Sequence, residues 1–242
     1  MKIIINGAGG RMGKALRAMC AQKGIEIAAM VDAFVAEEGM LGALTEFRGE
    51  ADCIIDFSHH SGVQALLAYA IEKNLPVIVC TTGHTGDELA AIADASQKVA
   101  VFHSGNMSLG IAVLTRLAAD AARMFPDADI EIVESHHNQK LDVPSGTALM
   151  LAKSVQKVRQ DATLLVGRHE NGKRTKQEIG IHSLRMGNTV GIHEVIINTG
   201  TQIITLKHEA QDRSLFAEGA LSAAAFMLGK APGLYNMDDI VG

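Results

Sequence analysis

"KIIINGAGGRMG", residues 2–13, decides how this chain folds. Its first five residues are a short, β-branched, unbroken apolar run, the pattern of a strand buried on both faces. Met12, Leu16, Met19 and Cys20 then recur at helical spacing, which predicts a helix over 11–23. Between the two lies a glycine turn. Gly7, Gly9, Gly10 and Gly13, with Ala8 among them, let the backbone turn tightly and approach a pyrophosphate, while the helix N-terminus beyond offers unpaired N–H groups. Met12 stands where the GxGxxG fingerprint has its third glycine, and the last glycine falls one place later, at Gly13. A glycine turn in an α/β fold can also be nothing more than a turn, so its context has to be weighed.

The context is an alternation of strands and helices. Strands are expected at 2–6, 26–32, 53–58, 76–83 (running into a turn) and 99–105, with helices at 11–23, 62–74 and 87–98 between them. That rhythm means parallel crossovers and a doubly wound sheet. The second strand ends at Asp32, about 20 residues beyond the glycine turn, where an acid accepts hydrogen bonds from adenosine ribose hydroxyls. An acid there repels a 2′-phosphate, and Arg11 is the nearest guanidinium that offsets it. NADH is therefore read as accepted and NADPH stays open, as does S-adenosylmethionine on these features alone. Thr81, Thr82 and Gly83 follow the fourth strand at the edge where ligands of open α/β sheets collect, and offer hydroxyls and N–H groups to a nicotinamide carboxamide. The plainer alternative there is a loop in which Thr85 or Asp87 caps the next helix.

After residue 105 the rhythm changes. A helix at 109–125, a strand at 127–137 and a helix at 145–159 precede three strands with no helices between them, at 178–186, 191–200 and 201–210. "NTG" between the last two is a hairpin signal. This half reads as an α+β unit with an antiparallel or mixed sheet, followed by a helix at 213–230 that could return to the first unit. The fold class is thus α/β, a Rossmann-like dinucleotide-binding domain plus an α+β domain.

Bulk properties narrow the function. The 242 residues carry 22 Lys and Arg against 27 Asp and Glu, a net charge of −5, which argues against a general nucleic-acid binder. No apolar run approaches the roughly 20 residues that span a bilayer, and the N-terminal apolar run is too short for a signal peptide. Cys20, Cys53 and Cys80 are scattered, with no CxxC spacing, which reads as buried thiols in a reducing cytoplasm. No membrane and no nucleic-acid partner is expected.

The chemistry concentrates in "ESHHNQKLDVPSGTAL", 134–149. Strand alternation puts Glu134 and His136 on one face and Ser135 and His137 on the other. Ser145 suits a helix N-cap, Gly146 allows close approach, and Thr147 adds a hydroxyl. With Lys140 nearby, the helix N-terminus forms a pocket for a carboxylate beside a proton donor. A serine capping its own helix beside a solvated lysine is the simpler reading of each residue taken singly. His59 and His60 read as loop histidines, since adjacent residues point apart and no third metal ligand is evident; no metal is expected.

These residues carry a resemblance. The stretch "ESHHNQKLDVPSGTA" resembles the E-x-H-H-x-x-K-x-D-x-P-S-G-T-A pattern of the 4-hydroxy-tetrahydrodipicolinate reductase (dihydrodipicolinate reductase) family, and "GAGGRMG" resembles its glycine loop. "TTG" at 81–83, "SGNMSLG" at 104–110 and "APGLYNMDDI" near the C-terminus are similar to further family segments, so the likeness spans nearly the whole chain. It implies a dinucleotide domain over 1–106 and 213–242, a substrate-binding and tetramerisation domain over 107–212, and a cytoplasmic homotetramer of the lysine (diaminopimelate) pathway. It implies hydride transfer from NADH or NADPH to a cyclic imine dicarboxylate. His136 is then the acid and Lys140 the second essential group, with His137, Ser145, Gly146 and Thr147 on the substrate carboxylates. Gly7, Ala8, Gly9, Gly10, Arg11, Met12, Asp32, Thr81, Thr82, Gly83, Ser104, Gly105, Asn106 and Met107 would line the cofactor. Cys80 departs from the family, where many relatives carry glycine, and no arginine stands beside Asp32, so strict NADPH preference is not implied. Domain closure about hinges near 105–110 and 210–213 is expected to bring hydride donor and acceptor together. Other classes remain to be weighed: a different carboxylate reductase, a dinucleotide-sensing protein without catalysis, and a metal-dependent hydrolase using His59, His60, His136 and His137.

Overall fold

The computed structural model describes residues 1–242 and divides into two compact units, Met1–Ser108 with Arg213–Gly242, and Leu109–Asp212. The first unit opens with β1 (Lys2–Asn6), α1 (Arg11–Lys23), β2 (Glu26–Val31) and a two-residue β3 (Met40–Leu41). It continues through β4 (Cys53–Asp56), α2 (Val63–Lys73), β5 (Val77–Val79), α3 (Gly86–Ser96) and β6 (Ala100–His103). Ile3, Ile4 and Ile5 are all without solvent exposure, as their unbroken apolar run requires of a central parallel strand. Full burial of each such side chain contributes about 1.5–3 kcal/mol.

The second unit runs α4 (Leu109–Met124), β7 (Asp129–His136), α5 (Gly146–Val158), β8 (Thr163–Val166), β9 (Glu178–Arg185), β10 (Gly191–Asn198) and β11 (Ile203–Ala210). Its sheet has the order β11-β10-β7-β9-β8. β10 and β11 form the hairpin read from "NTG", and β7 pairs antiparallel with β10 but parallel with β9. The sheet is therefore mixed, and β9 and β10, although consecutive, are separated by β7. Helices α4 and α5 pack on one face over Ile130, Ile132, Ile179, Ile181, Val195 and Ile197.

The chain then re-enters the first unit as α6 (Ser214–Met227), β12 (Gly233–Tyr235) and α7 (Met237–Val241). β12 completes a parallel seven-stranded sheet of order β3-β2-β1-β4-β5-β6-β12. Helix α6 is rich in small buried residues and packs on α1 and β4. The short strands β3, β8 and β12 and the helix α7 are not apparent from sequence periodicity, because two to five residues are too few to display a period. The strand expected over 53–58 stops at Asp56, and the run at 76–83 leaves the sheet after Val79, in the turn expected at its end.

Strand order reverses between β1 and β4, and this switch point is where open α/β sheets hold ligands. Gly13 determines how closely α1 sits over it. A Cβ there would overlap the Gly7 carbonyl oxygen and the Ala8 backbone, so the glycine displaced by one position still serves close packing of helix on strand. Replacing Gly with Ala inside a helix normally gains about 1 kcal/mol, but overpacking costs about 1–3 kcal/mol. Gly13→Ala is expected to lower the denaturant midpoint; a midpoint at or above wild type would mean that α1 has room to give.

Candidate functional site

In the first unit the glycine turn is tied down by backbone and carboxylate acceptors. Gly7 and Ala8 donate their N–H groups to the Val31 carbonyl, at 2.8 and 3.0 Å. Gly7 has φ +81, and a Cβ there would lie 2.6 Å from the Phe57 carbonyl group. Gly9 N–H donates to Asp32 Oδ2 at 2.9 Å, while Phe34 and Val35 N–H donate to Asp32 Oδ1 at 2.9 and 3.0 Å. The acid expected to receive ribose hydroxyls thus already accepts three N–H bonds from its own chain. A carboxylate has about four acceptor positions, so Oδ2 retains one.

Gly10 is the N-cap of α1, and no side chain caps the helix. The first-turn N–H groups therefore have no intrahelical partner. Beside them opens a cleft of about 600 Å³ lined by Gly7, Gly10, Asp32, Phe34, His59 and Tyr69, among others. Phe34 stands on its rim, 89 % exposed. An uncapped helix N-terminus at a glycine turn, next to an apolar cleft with one acid, fits the pyrophosphate and nucleoside of a dinucleotide.

Asp56, at the end of β4, is 2 % exposed and joins three loops. It accepts from Asn6 Nδ2 at 2.7 Å, Ser58 Oγ at 2.6 Å and Thr81 Oγ1 at 2.6 Å. Thr81 is therefore turned into the protein, whereas Thr82 and Gly83 are exposed. Thr85 is the N-cap of α3, in a capping box with Glu88, and Glu88 also meets His60 Nδ1 at 2.9 Å. His60 is thus paired rather than simply solvated, and His59 bonds Ser61 Oγ at 2.9 Å. No three His, Cys, Asp or Glu side chains are grouped to hold a metal ion. Ser104 Oγ donates to the Asn106 carbonyl at 2.8 Å, Arg11 is exposed, and Met12 is half-buried. Met107 is buried, and a Cβ at Gly219 of α6 would overlap its carbonyl oxygen. Cys80 is buried as well, and burial pushes its thiol well above the ordinary value.

In the second unit the site gathers where β7 ends and α5 begins. Glu134, with no solvent exposure, lies on the helix-covered face two residues before His136. Its Oε2 accepts from His136 Nδ1 at 2.5 Å and from Arg185 Nη1 at 2.9 Å. Its Oε1 accepts from Arg185 Nη2 at 2.9 Å and from Ser145 N–H at 3.2 Å. Ser145 is the N-cap of α5, its Oγ accepting from Ala148 N–H at 3.2 Å and lying 3.3 Å from His193 Nε2. The His136 and His193 rings meet edge to face at 5.1 Å.

Lys140 pairs with Asp142 at 2.8 Å, and Arg185 Nη2 donates to the Asp142 carbonyl at 2.7 Å. Lys140 and His136 thus belong to one network, joined through Arg185 and Glu134 rather than by direct contact. His137 lies just past the strand, its carbonyl accepting the Lys140 N–H at 3.1 Å. Gly146 begins α5 and is exposed.

The charges in this network depend on their neighbours. Burial by itself would raise the Glu134 carboxyl, but the hydrogen bonds from His136 and Arg185 outweigh it and hold the group far below the usual carboxylate range. Burial, with the charge of His136 nearby, pushes His193 down to about 4. Asp142 stays below its ordinary value because the bond from Lys140 outweighs its partial burial.

The doubly wound sheet with its glycine turn, joined to a mixed-sheet unit, defines a two-unit α/β protein of the Rossmann type. Residues 1–107 match the family described as dihydrodipicolinate reductase, N-terminus, and residues 110–241 its C-terminus. The 4-hydroxy-tetrahydrodipicolinate reductase of Clostridium novyi is 43 % identical over 99 % of this chain and 98 % of its own. That of Caldanaerobacter subterraneus is 42 % identical over 100 % and 98 %. The chain belongs to the dihydrodipicolinate reductase family. Among solved structures, the dipicolinate-bound dihydrodipicolinate reductase from Paenisporosarcina sp. TG-14 shares the fold with a TM-score of 0.81, at 24 % identity and 99 % coverage of both chains. A probable dehydrogenase from Thermotoga maritima shares it with a TM-score of 0.65, at 9 % identity over 99 % and 92 %.

Arg185 and His193 escaped the sequence reading. Arg185 reaches Glu134 because β7 and β9 pair in parallel with His136 opposite Arg185, and no local pattern announces that pairing. His193 sits on an ordinary amphipathic strand, with nothing in its neighbours to single it out.

Both buried groups make the unit acid-sensitive. Unfolded, His193 takes up its proton near the ordinary value of 6.5, but in the fold only near 4. Between those values the unfolded chain binds more protons, so stability falls as pH falls. Glu134 adds stability that is present above its ordinary value of 4.5 and is lost at lower pH. The His193 shift corresponds to about 3 kcal/mol at most. Thermal melting from pH 7 to pH 4 should therefore decline less steeply in His193→Gln than in wild type. Parallel curves would mean that His193 titrates normally in the folded chain.

Proposed function

We propose that this chain reduces 4-hydroxy-tetrahydrodipicolinate to tetrahydrodipicolinate with NADH or NADPH, in the diaminopimelate and lysine pathway of the cytoplasm. Family membership supports the reaction class, and the observation that carries the site is His136, held at the end of β7 beside the N-terminus of α5. Loss of the 4-hydroxyl as water gives the unsaturated ring, and a bound reduced nicotinamide would supply the hydride to its ring carbon. His136 supplies the proton, as an imidazole suits general acid work near neutral pH. Lys140 brings the positive charge that a dicarboxylate needs in a chain with net charge −5.

His137 and the turn Ser145-Gly146-Thr147 receive the substrate carboxylates at the positive end of the α5 dipole. Ser145 is 1 % exposed, so its part is to hold that turn in shape, while Gly146 is the exposed member. Gly7, Ala8, Gly9 and Gly10, whose N–H groups are bonded within the protein, keep the turn in shape, and the first-turn N–H groups of Arg11 and Met12 receive the pyrophosphate. Asp32 offers its remaining acceptor to a ribose hydroxyl, and Thr82, Gly83 and the 104–107 segment form the nicotinamide end. No lysine or arginine lines the cleft, which supports use of NADH.

A homotetramer is part of the same reading. The β-sheet face of the second unit turned away from α4 and α5 carries Val133, Leu184, Ile192 and Ile196, apolar side chains that no element of that unit covers. Ile192→Glu with Ile196→Glu is expected to reduce the mass in sedimentation below that of four chains; an unchanged mass would place the contact elsewhere.

Oxidation of the reduced nicotinamide, followed by its absorbance with the imine dicarboxylate generated in place, tests the reaction. Both cofactors should be consumed only when substrate is present, without strict preference for NADPH. His136→Ala and Lys140→Ala should each lower kcat by at least about 100-fold, the lower range for a positioned acid, with cofactor binding retained. Cofactor binding without oxidation in wild type would instead support a dinucleotide-sensing protein.

A further inference from the structure

The Glu134 carboxylate is saturated. Two N–H bonds from Arg185, one from His136 and one from Ser145 fill the four acceptor positions of its two oxygens. Every one of these partners is a donor, so a proton on Glu134 would face a donor whichever oxygen carried it. His136 must accordingly present Nδ1 as N–H, and the atom left to exchange protons with a substrate is Nε2. That atom lies against Gly191, where an added Cβ would come within 3.2 Å, so the strand opposite leaves the space by Nε2 free of side chain. The charged and titratable groups facing His136 come from four elements: Glu134 on its own strand, Arg185 on β9, His193 on β10, and the Lys140–Asp142 pair reached through Arg185.

We propose that Glu134, clamped by Arg185, is a positioning residue that fixes His136 in the Nδ1–H tautomer with Nε2 as the proton-carrying atom, and through Ser145 N–H ties the α5 N-terminus to that ring. This rests on the reading of His136 as proton donor. Arg185 has a second part in it. An uncompensated carboxylate would hold the imidazolium proton too firmly for delivery, whereas the guanidinium neutralises the pair and leaves the orientation intact. During turnover the Nε2–H bond breaks as the substrate gains the proton, His136 becomes neutral and retains Nδ1–H, and Glu134 stays ionised throughout. A proton from solvent then restores Nε2–H.

The test compares Glu134→Gln, Arg185→Gln and His136→Ala with wild type across pH. The amide in Glu134→Gln removes the charge facing His136 and can present N–H to Nδ1. Its kcat is expected to fall at least tenfold, with KM within twofold, and the alkaline limb of the rate profile to move to lower pH. Arg185→Gln leaves the carboxylate uncompensated, and its alkaline limb is expected to move to higher pH. A buried ion pair that only supports the fold would shift melting temperature in both variants but would not move the two limbs in opposite directions. Because either variant could fail to fold, the wild-type protein with ¹⁵N-labelled histidine supplies an independent readout: Nδ1 of His136 should remain protonated at every pH while Nε2 titrates. Loss of the Nδ1 proton in the neutral ring, or wild-type kcat and limb in Glu134→Gln, overturns the positioning role. Wild-type activity in His136→Ala overturns the donor reading itself, whatever Glu134 does.

Discussion

A carboxylate removed from water costs several kcal/mol unless its lone pairs are met by charge and hydrogen bonds, and Glu134 is met by both. The fork of Arg185 faces it two bonds to two oxygens, the geometry in which guanidinium and carboxylate fit best. The remaining two positions are taken by the His136 ring and by the backbone at the start of α5. One side chain thus sets the end of a strand, the entry of a helix and the orientation of an imidazole. Arg185 extends the arrangement by holding the Asp142 carbonyl, which places the segment carrying Lys140. Removing one partner of such a pair is costly, about 3–5 kcal/mol, because the other charge is left buried and unpaired. The geometry around His136 and the local stability of the second unit therefore depend on the same bonds.

The first unit solves a similar problem without cations. Asp56 and Asp32 are satisfied by hydroxyl, amide and backbone N–H donors, each lying where a parallel strand runs out into a loop. Asp56 binds together the loops after β1, β4 and β5, and Asp32 binds the glycine turn to the segment after β2. A surface that must admit a charged, flexible cofactor is kept in shape by these acceptors, while the uncapped end of α1 is left open. The two units share a device, a buried acid that organises loops, and differ in what compensates its charge.

Much of this was legible in the residues. The β-branched run at 2–6 and the glycine turn after it are local features, and period-2 alternation correctly put Glu134 and His136 on one face. Ser145 as the cap of α5 was equally local, since a capping side chain reaches only its own first turn. Spacing marks Asp32 as a ligand group, yet three of its acceptor positions are taken by the N–H groups of Gly9, Phe34 and Val35, which composition and spacing do not show. The hairpin of β10 and β11 was visible in its turn, whereas the parallel neighbour of β7 was not.

By itself the sequence determined the periodic elements, the two kinds of sheet, and the cap at Ser145 that opens α5, because each rests on contacts between residues close along the chain. Only the tertiary structure decided that β7 lies between β9 and β10, that α6 and β12 return to the first sheet, and that Arg185 and His193 reach the same carboxylate-bound histidine network. An apolar pattern states which face of a strand is buried, but it is silent on which strand lies alongside. Pairing between distant segments is settled by how whole faces pack and by which buried charge finds its counter-charge, and those are properties of the folded chain.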